Sequence, residues 1–260
     1  MQVAIYQMEI VPGKPEENRE KVKRWVSNLE GDRPLTIVLP ELWTTGYTLP
    51  IFEQIADEDY EPTRQFLKQL AQDYNVNIVG GSYANRREGK IYNSSIVINA
   101  RGEVVHYYEK IHMVPMLNEH LYLTGGNRKT EIFELNGIKC GLIICYDLRF
   151  TEIIRPLALK GVEVLFVVAE WPTSRLTHWN ILQYARAIEN QFFVVSCNNV
   201  GEHEQVEYGG NSKVIDPWGN TIVSGEKIEQ TLMAQLNISE VKEIREKVPV
   251  FKSRVPHLYR

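Results

Sequence analysis

Three observations predict an α/β fold built on mixed β-sheets. Strand-sized apolar runs recur along the chain, amphipathic helical spacings fall between several of them, and hairpin signals interrupt the order in the middle and again late. Runs rich in Val, Ile and Tyr cover residues 3–10, 36–39, 76–83, 94–99, 140–145, 164–168 and 192–198. Between them, residues 16–29 place Val22, Trp25, Val26 and Leu29 on one helical face. Residues 63–74 do the same with Phe66, Leu67, Leu70 and Ala71, and a third helix is predicted over 177–190. Turn chemistry at 86–90, 99–102 and 216–220 calls for antiparallel hairpins, so a purely parallel sheet is not expected. The reading is two mixed sheets packed together between helices.

The 260 residues can bury a large core, and no repeat, low-complexity tract or linker divides them, so one domain over 1–260 is expected. Hydrophobic residues at 43% and charged residues at 24% are ordinary for a globular protein. A net charge of −4 with interspersed signs offers no basic stripe, which argues against nucleic acid as a partner. The longest apolar runs, 140–145 and 164–169, fall far short of the ~20 residues that cross a bilayer, so no membrane association is expected. Residues 1–10 alternate without a basic leader, and a cytoplasmic location follows as the expectation. Three cysteines without C-x-x-C spacing argue against a disulfide framework and against structural zinc. The tail, 248–260, carries Pro249, Pro256, Lys252, Arg254 and Arg260 with little periodicity, and reads as an arm that needs another surface, such as a second subunit.

Three apolar runs stop at a reactive polar residue, and in α/β sheets ligands bind outside the carboxyl ends of strands. Glu41 follows 36–40; taken alone it is as well explained as a loop residue or helix cap. Lys110 closes 104–110, where a solvated charge is the ordinary explanation. Cys145 follows 141–144, and a cysteine there is by default an inert buried hydrophobe. Its setting differs, because the strand breaks at the cysteine and a helix is predicted over about 150–160. The thiol can then stand in a strand-to-helix elbow, facing backbone N–H groups and a helix N-terminus that favour a thiolate and bind an oxyanion. Cys140 and Cys197 lie inside strand patterns and read as core. His106, His112, His120, His178, His203 and His257 show no metal spacing, so no metal is expected. Gly80-Gly81, Gly125-Gly126 and Gly209-Gly210 match no phosphate loop, so no cofactor is expected.

Leu39-Pro40-Glu41, Tyr108-Glu109-Lys110-Ile111-His112 and the segment GLIICYDLRF at 141–150, in this order, resemble the three signature segments of the nitrilase, or carbon–nitrogen hydrolase, superfamily. Tyr92-Asn93-Ser94, Arg186-Ala187-Ile188-Glu189-Asn190, Pro217-Trp218-Gly219 and Val250-Phe251 extend the resemblance over nearly the whole chain. It implies a four-layer α-β-β-α sandwich, a homodimer paired across helical faces, and a metal-free triad of Glu41, Lys110 and Cys145. Ala169-Glu170-Trp171-Pro172 with His178-Trp179 resembles the ω-amidase branch, whose substrates are ω-amides of dicarboxylic acids such as 2-oxoglutaramate.

On that resemblance, Cys145 is expected to attack a carboxamide carbon, Glu41 to move protons, and Lys110 with the backbone N–H of Tyr146 to hold the oxyanion. Glu119 matches a further glutamate of the family and is expected to orient Lys110 or the substrate. Arg175 and Trp171 are the candidates for substrate binding, the arginine for a free carboxylate. Arg149 is expected to pair with a carboxylate such as Glu163 as a strut. Relatives acting on nitriles, N-carbamoyl compounds or deaminated glutathione carry the same triad; a binding module on this fold that has lost catalysis is the other alternative, but a dead site would have no reason to keep all three residues.

Overall fold

The structure, a computed structural model, describes residues 1–259; of the tail, Arg260 lies outside the described residues. Seven strands come first: β1 (Gln2–Gln7), β2 (Leu35–Val38), β3 (Asp57–Glu58), β4 (Val76–Val79), β5 (Tyr83–Arg87), β6 (Lys90–Ile98) and β7 (Val104–Glu109). A second set follows: β8 (Phe133–Leu135), β9 (Ile138–Ile144), β10 (Val164–Ala169), β11 (Phe193–Asn198), the hairpin β12 (Val200–His203) and β13 (Val206–Gly209), then β14 (Lys213–Ile215) and β15 (Thr221–Ser224). β16 (Gln230–Gln235) returns to the first sheet and pairs antiparallel with β1. The first sheet has the order β16-β1-β2-β4-β6-β5-β3, with β7 on β6; the second is β15-β14-β11-β10-β9-β8. In each, a parallel centre is flanked by antiparallel pairings, except that the two-residue edge strand β3 runs parallel to β5.

The helices are α1 (Pro15–Ser27), the single turn α2 (Phe52–Ile55), α3 (Thr63–Tyr74), α4 (Thr151–Leu159), α5 (Leu176–Asn190) and α6 (Ser239–Lys247). Strand alternation sorts the layers. In β1, Ala4 and Tyr6 join Val22 and Val26 of α1 and Leu67 and Leu70 of α3 in one core. Val3 and Ile5, on the opposite face, enter a second core with Leu142, Ile144, Val167 and Val195 of the other sheet. That core continues to Ile154 and Leu157 of α4 and Trp179 and Ala187 of α5. The layer order is therefore α-β-β-α, and β10, covered on both faces, is buried along its whole length. Among the described residues no helix is long and apolar enough to cross a membrane.

The three predicted hairpins form. The run 76–83, however, divides into β4 and β5 at Gly80-Gly81. Gly81 has φ +58, and a Cβ there would lie 2.1 Å from the Pro40 carbonyl oxygen, so only glycine lets this bend pass beneath the segment that carries Glu41. At the other end of the chain, Phe251 lies under the guanidinium groups of Arg155 and Arg245, while Leu258 and Tyr259 stay exposed.

His106 of β7 stacks on Phe133 of β8, with ring centroids 4.8 Å apart, where the two sheets adjoin. Its buried Nε2 has no partner, and burial pushes its pKa down from 6.5 to about 4. The unfolded chain then binds a proton that the folded chain refuses, so stability falls as the pH drops from 6.5 towards about 4. In His106→Phe this part of the acid sensitivity is expected to vanish, which urea melts across that window measure.

Candidate active site

The carboxyl ends of β2, β7 and β9 converge. Glu41, three residues past β2, donates its backbone N–H to the carbonyl of Ala169 at the end of β10 (3.3 Å), which ties the two sheets together at this point. Its side chain is fully buried and fully engaged. Oε1 accepts from Lys110 Nζ and Asn93 Nδ2, each at 2.8 Å, with the Tyr47 hydroxyl at 3.2 Å, and Oε2 accepts from the backbone N–H of Glu170 at 2.8 Å.

Lys110 directly follows β7 and is held by its backbone N–H on the Asn93 carbonyl (2.9 Å). Its buried ammonium donates to Glu41, to the Tyr47 hydroxyl (3.1 Å) and to Glu119 Oε1 (2.8 Å). Burial opposes this charge, but the two carboxylates outweigh it and hold the ammonium well above the usual lysine range. Glu119 is fixed in turn by Val114 N–H and the Tyr47 hydroxyl. Burial first, then Glu119 and Glu41, keep Tyr47 protonated and so a donor.

Cys145 directly follows β9 with φ +47, a left-handed conformation that is rare outside glycine and here turns the chain sharply. A five-residue 3-10 turn, Cys145–Arg149, follows. The elbow is anchored from two sides. Asp147 accepts from the Tyr108 hydroxyl (2.7 Å) and from His112 N–H (3.1 Å), joining it to the segment that carries Lys110. Arg186 of α5 donates to the Leu148 carbonyl through Nε and Nη2 (3.1 and 3.0 Å).

An apolar throat of about 30 Å³ lies over the thiol, lined by Tyr47, Tyr146, Arg149, Trp171 and Arg175 among others. It adjoins a cleft of about 220 Å³ bounded by Glu170, Pro172, Arg175 and Tyr208. A larger hollow of about 360 Å³ at Tyr60, Tyr107 and Arg128 holds none of these groups, so chemistry rather than volume locates the site. The arrangement offers a nucleophile, a carboxylate that can move its proton, and a fixed cation for developing negative charge.

The carbon–nitrogen hydrolase family model matches residues 2–246. The chain belongs to the carbon–nitrogen hydrolase family. It is 41% identical to the 2-oxoglutaramate amidase of Bacillus subtilis, over 99% of this chain and 98% of that protein. It is equally similar, at 41%, to a protein of Staphylococcus aureus described as a hydrolase in the agr operon, over the full length of both. Among solved structures, a CN-hydrolase superfamily protein of Xanthomonas campestris with an arsenic adduct in its active site superposes with a TM-score of 0.91 at 28% identity, covering 98% of this chain and 97% of that one.

Two expectations for this carbon–nitrogen hydrolase are corrected. Arg149 does not pair with Glu163, which instead accepts from Lys139 N–H. Its guanidinium lies 4.7 Å over the Trp171 ring and 5.5 Å over Tyr146, at the throat, with His178 Nδ1 at 3.4 Å. The elbow also fails to favour a resting thiolate. Burial and then Glu41 push the Cys145 thiol well above its usual value against the pull of Lys110, and α4 starts only at Thr151, beyond the 3-10 turn.

Arg175 is half-buried in the lining of both throat and cleft, and its carbonyl accepts from Trp171 Nε1 at 2.9 Å. Cys140 and Cys197 are buried in β9 and β11, away from the throat lining. Residue-by-residue reading missed Tyr47 and Tyr208, which no spacing announces, and passed over Asp147 inside the signature segment at 141–150. Asn93 and Glu170 stood inside segments that carried the family resemblance without being singled out.

Proposed function

We propose that this hydrolase cleaves the ω-amide of a dicarboxylic acid, with 2-oxoglutaramate as the leading substrate, and releases ammonia. The observation that carries the reading is the buried Lys110 ammonium, clamped by Glu41 and Glu119 beside Cys145, beneath a throat that presents two arginines. The similarity to a 2-oxoglutaramate amidase supports the substrate.

Cys145 attacks the carboxamide carbon while Glu41 takes the thiol proton. Lys110 and the backbone N–H of Tyr146, in the first turn after the elbow, carry the charge of the tetrahedral oxygen. Glu41 returns the proton to the nitrogen, the C–N bond breaks and ammonia leaves a thioester. Glu41 then deprotonates a water that attacks the thioester carbon, and the C–S bond breaks to give the carboxylic acid and the free thiol. Glu119 and Tyr47 keep Lys110 in place, and Trp171 forms the wall on which Arg149 stacks.

The free carboxylate of the substrate meets Arg175, with Arg149 as a second cation. Arg175→Ala is expected to raise the KM for an anionic ω-amide at least ~10-fold, as befits a charged hydrogen bond, and to affect a neutral amide less. Equal KM values for the anionic amide in the variant and the parent would remove Arg175 from the site.

Ammonia release tests the whole reading on 2-oxoglutaramate, succinamate, a neutral short amide, a nitrile and an N-carbamoyl amino acid. Turnover of the carboxylated ω-amides alone, abolished in Cys145→Ala, is the expected pattern. Preference for the nitrile or the carbamoyl compound would overturn the substrate.

The chain acts as one catalytic unit over 1–260, with 248–260 as an arm, and pairs as a homodimer across its helical face. Ile181 and Ile188, seven residues apart on one side of α5, are 60% and 53% exposed, and Trp218 (55%) stands in the turn beside Ile188. Sedimentation velocity reads the dimer directly. All three cysteines are buried free thiols, which suits a reducing cytoplasm.

A further inference from the structure

Glu170 is the one acidic side chain that lines the throat, the adjoining cleft and the small cavity beside Gly46 and Asn199. It is only 3% exposed. Its backbone N–H holds Glu41, its Oε1 accepts from Asn199 Nδ2 at 3.1 Å, and the Tyr208 hydroxyl faces the carboxyl, but no group meets hydrogen-bond geometry at its Oε2. A buried polar atom without a partner costs about 1–3 kcal/mol, and such atoms persist where a ligand completes them.

We infer that Glu170 recognises the substrate through a hydrogen bond from its carboxylic acid to a carbonyl oxygen lying between the scissile amide and the free carboxylate, the 2-oxo group of a 2-oxo-ω-amide. This rests on the ω-amidase reading above and deepens it. The other two ends of such a molecule already have receivers: the amide goes to Cys145, Glu41 and Lys110, and the carboxylate to the arginines. What lies between them is an uncharged acceptor, and it calls for an uncharged donor.

Burial, and then the neighbouring Glu41, hold the Glu170 carboxyl well above the usual carboxylate range against the pull of the Tyr208 hydroxyl and Lys110, which favours the protonated form that can donate. A charged carboxylate at this place would repel an anionic substrate. A protonated one discriminates for the acceptor, because an analogue that lacks it leaves the buried O–H unpaired.

The test compares 2-oxoglutaramate with glutaramate, the same chain with a methylene in place of the ketone, in the parent enzyme, Glu170→Gln and Glu170→Ala. The readout is the ratio of kcat/KM for the two substrates. In Glu170→Ala this ratio is expected to fall about tenfold or more, chiefly through KM for the oxo compound. In Glu170→Gln, whose amide N–H still donates, it is expected to stay within about threefold of the parent. If the alanine variant does not fold, Glu170→Met, apolar and of similar length, takes its place. Equal slowing of both substrates, with the ratio kept, would reduce Glu170 to a support for Glu41 and overturn the assignment alone. A parent enzyme that releases ammonia from neither substrate overturns the ω-amidase reading and this inference with it.

Discussion

Lys110→Ala is expected to lower kcat/KM by about 100- to 1000-fold, the effect of losing one oxyanion donor, and to destabilise the fold at the same time. The second effect comes from what remains. Lys110 is fully buried, and so are both of its carboxylate partners, at 2.8 Å each. Removing the cation strands Glu41 and Glu119 together around an empty space, and breaking a buried pair in this way costs about 3–5 kcal/mol. The stranded carboxylates are relieved only by taking up a proton. The folded variant therefore binds protons more tightly than its unfolded chain, so its deficit grows as the pH rises. Thermal melts at mildly acidic and mildly alkaline pH, beside the parent, measure this. A deficit that does not change with pH would show that Lys110 is not what neutralises the two glutamates. Lys110→Met, which fills the space, separates lost volume from lost charge.

Cys145→Ala is expected to reduce turnover to background, at least ~10⁴-fold, with the fold retained. The stronger test concerns the resting thiol. Because burial and Glu41 push it up, its alkylation by iodoacetamide is expected to keep rising with pH past 9.0, the ordinary thiol value, without a plateau near neutrality. A plateau near pH 7 would mean a resting thiolate–ammonium pair and would take the first proton transfer away from Glu41. Cys145 is 5% exposed and Cys140 and Cys197 are not exposed at all, so labelling of the native protein belongs at Cys145. Cys140 or Cys197 reacting first would contradict the geometry.

The strand-end residues were legible in the sequence for a physical reason. Glu41, Lys110 and Cys145 each stand where an apolar run stops, and a run that stops at a polar residue marks the carboxyl end of a strand, where α/β sheets place their ligands. Helix 63–74 was legible to the residue because its apolar spacing and its limits agree. The break at Gly80-Gly81 was not, since the cause is a through-space clash with Pro40. Arg149 was misread for the same kind of reason. Nothing in CYDLRF says that the guanidinium will find an indole 22 residues further along the chain rather than a carboxylate.

The sequence by itself determined the family and the alternation that sorts residues into four layers, because these follow from the order of segments and from local periodicity, and through the family resemblance it named the three side chains proposed to react. Only the tertiary structure decided the charge states and the pocket wall. Burial and then Glu41 push the Cys145 thiol and the Glu170 carboxyl up, while two carboxylates raise the Lys110 ammonium against its burial, and these neighbours lie as far apart in sequence as 129 residues, as Glu41 and Glu170 do. Desolvation and Coulomb interaction act through space, and a linear pattern carries no record of them.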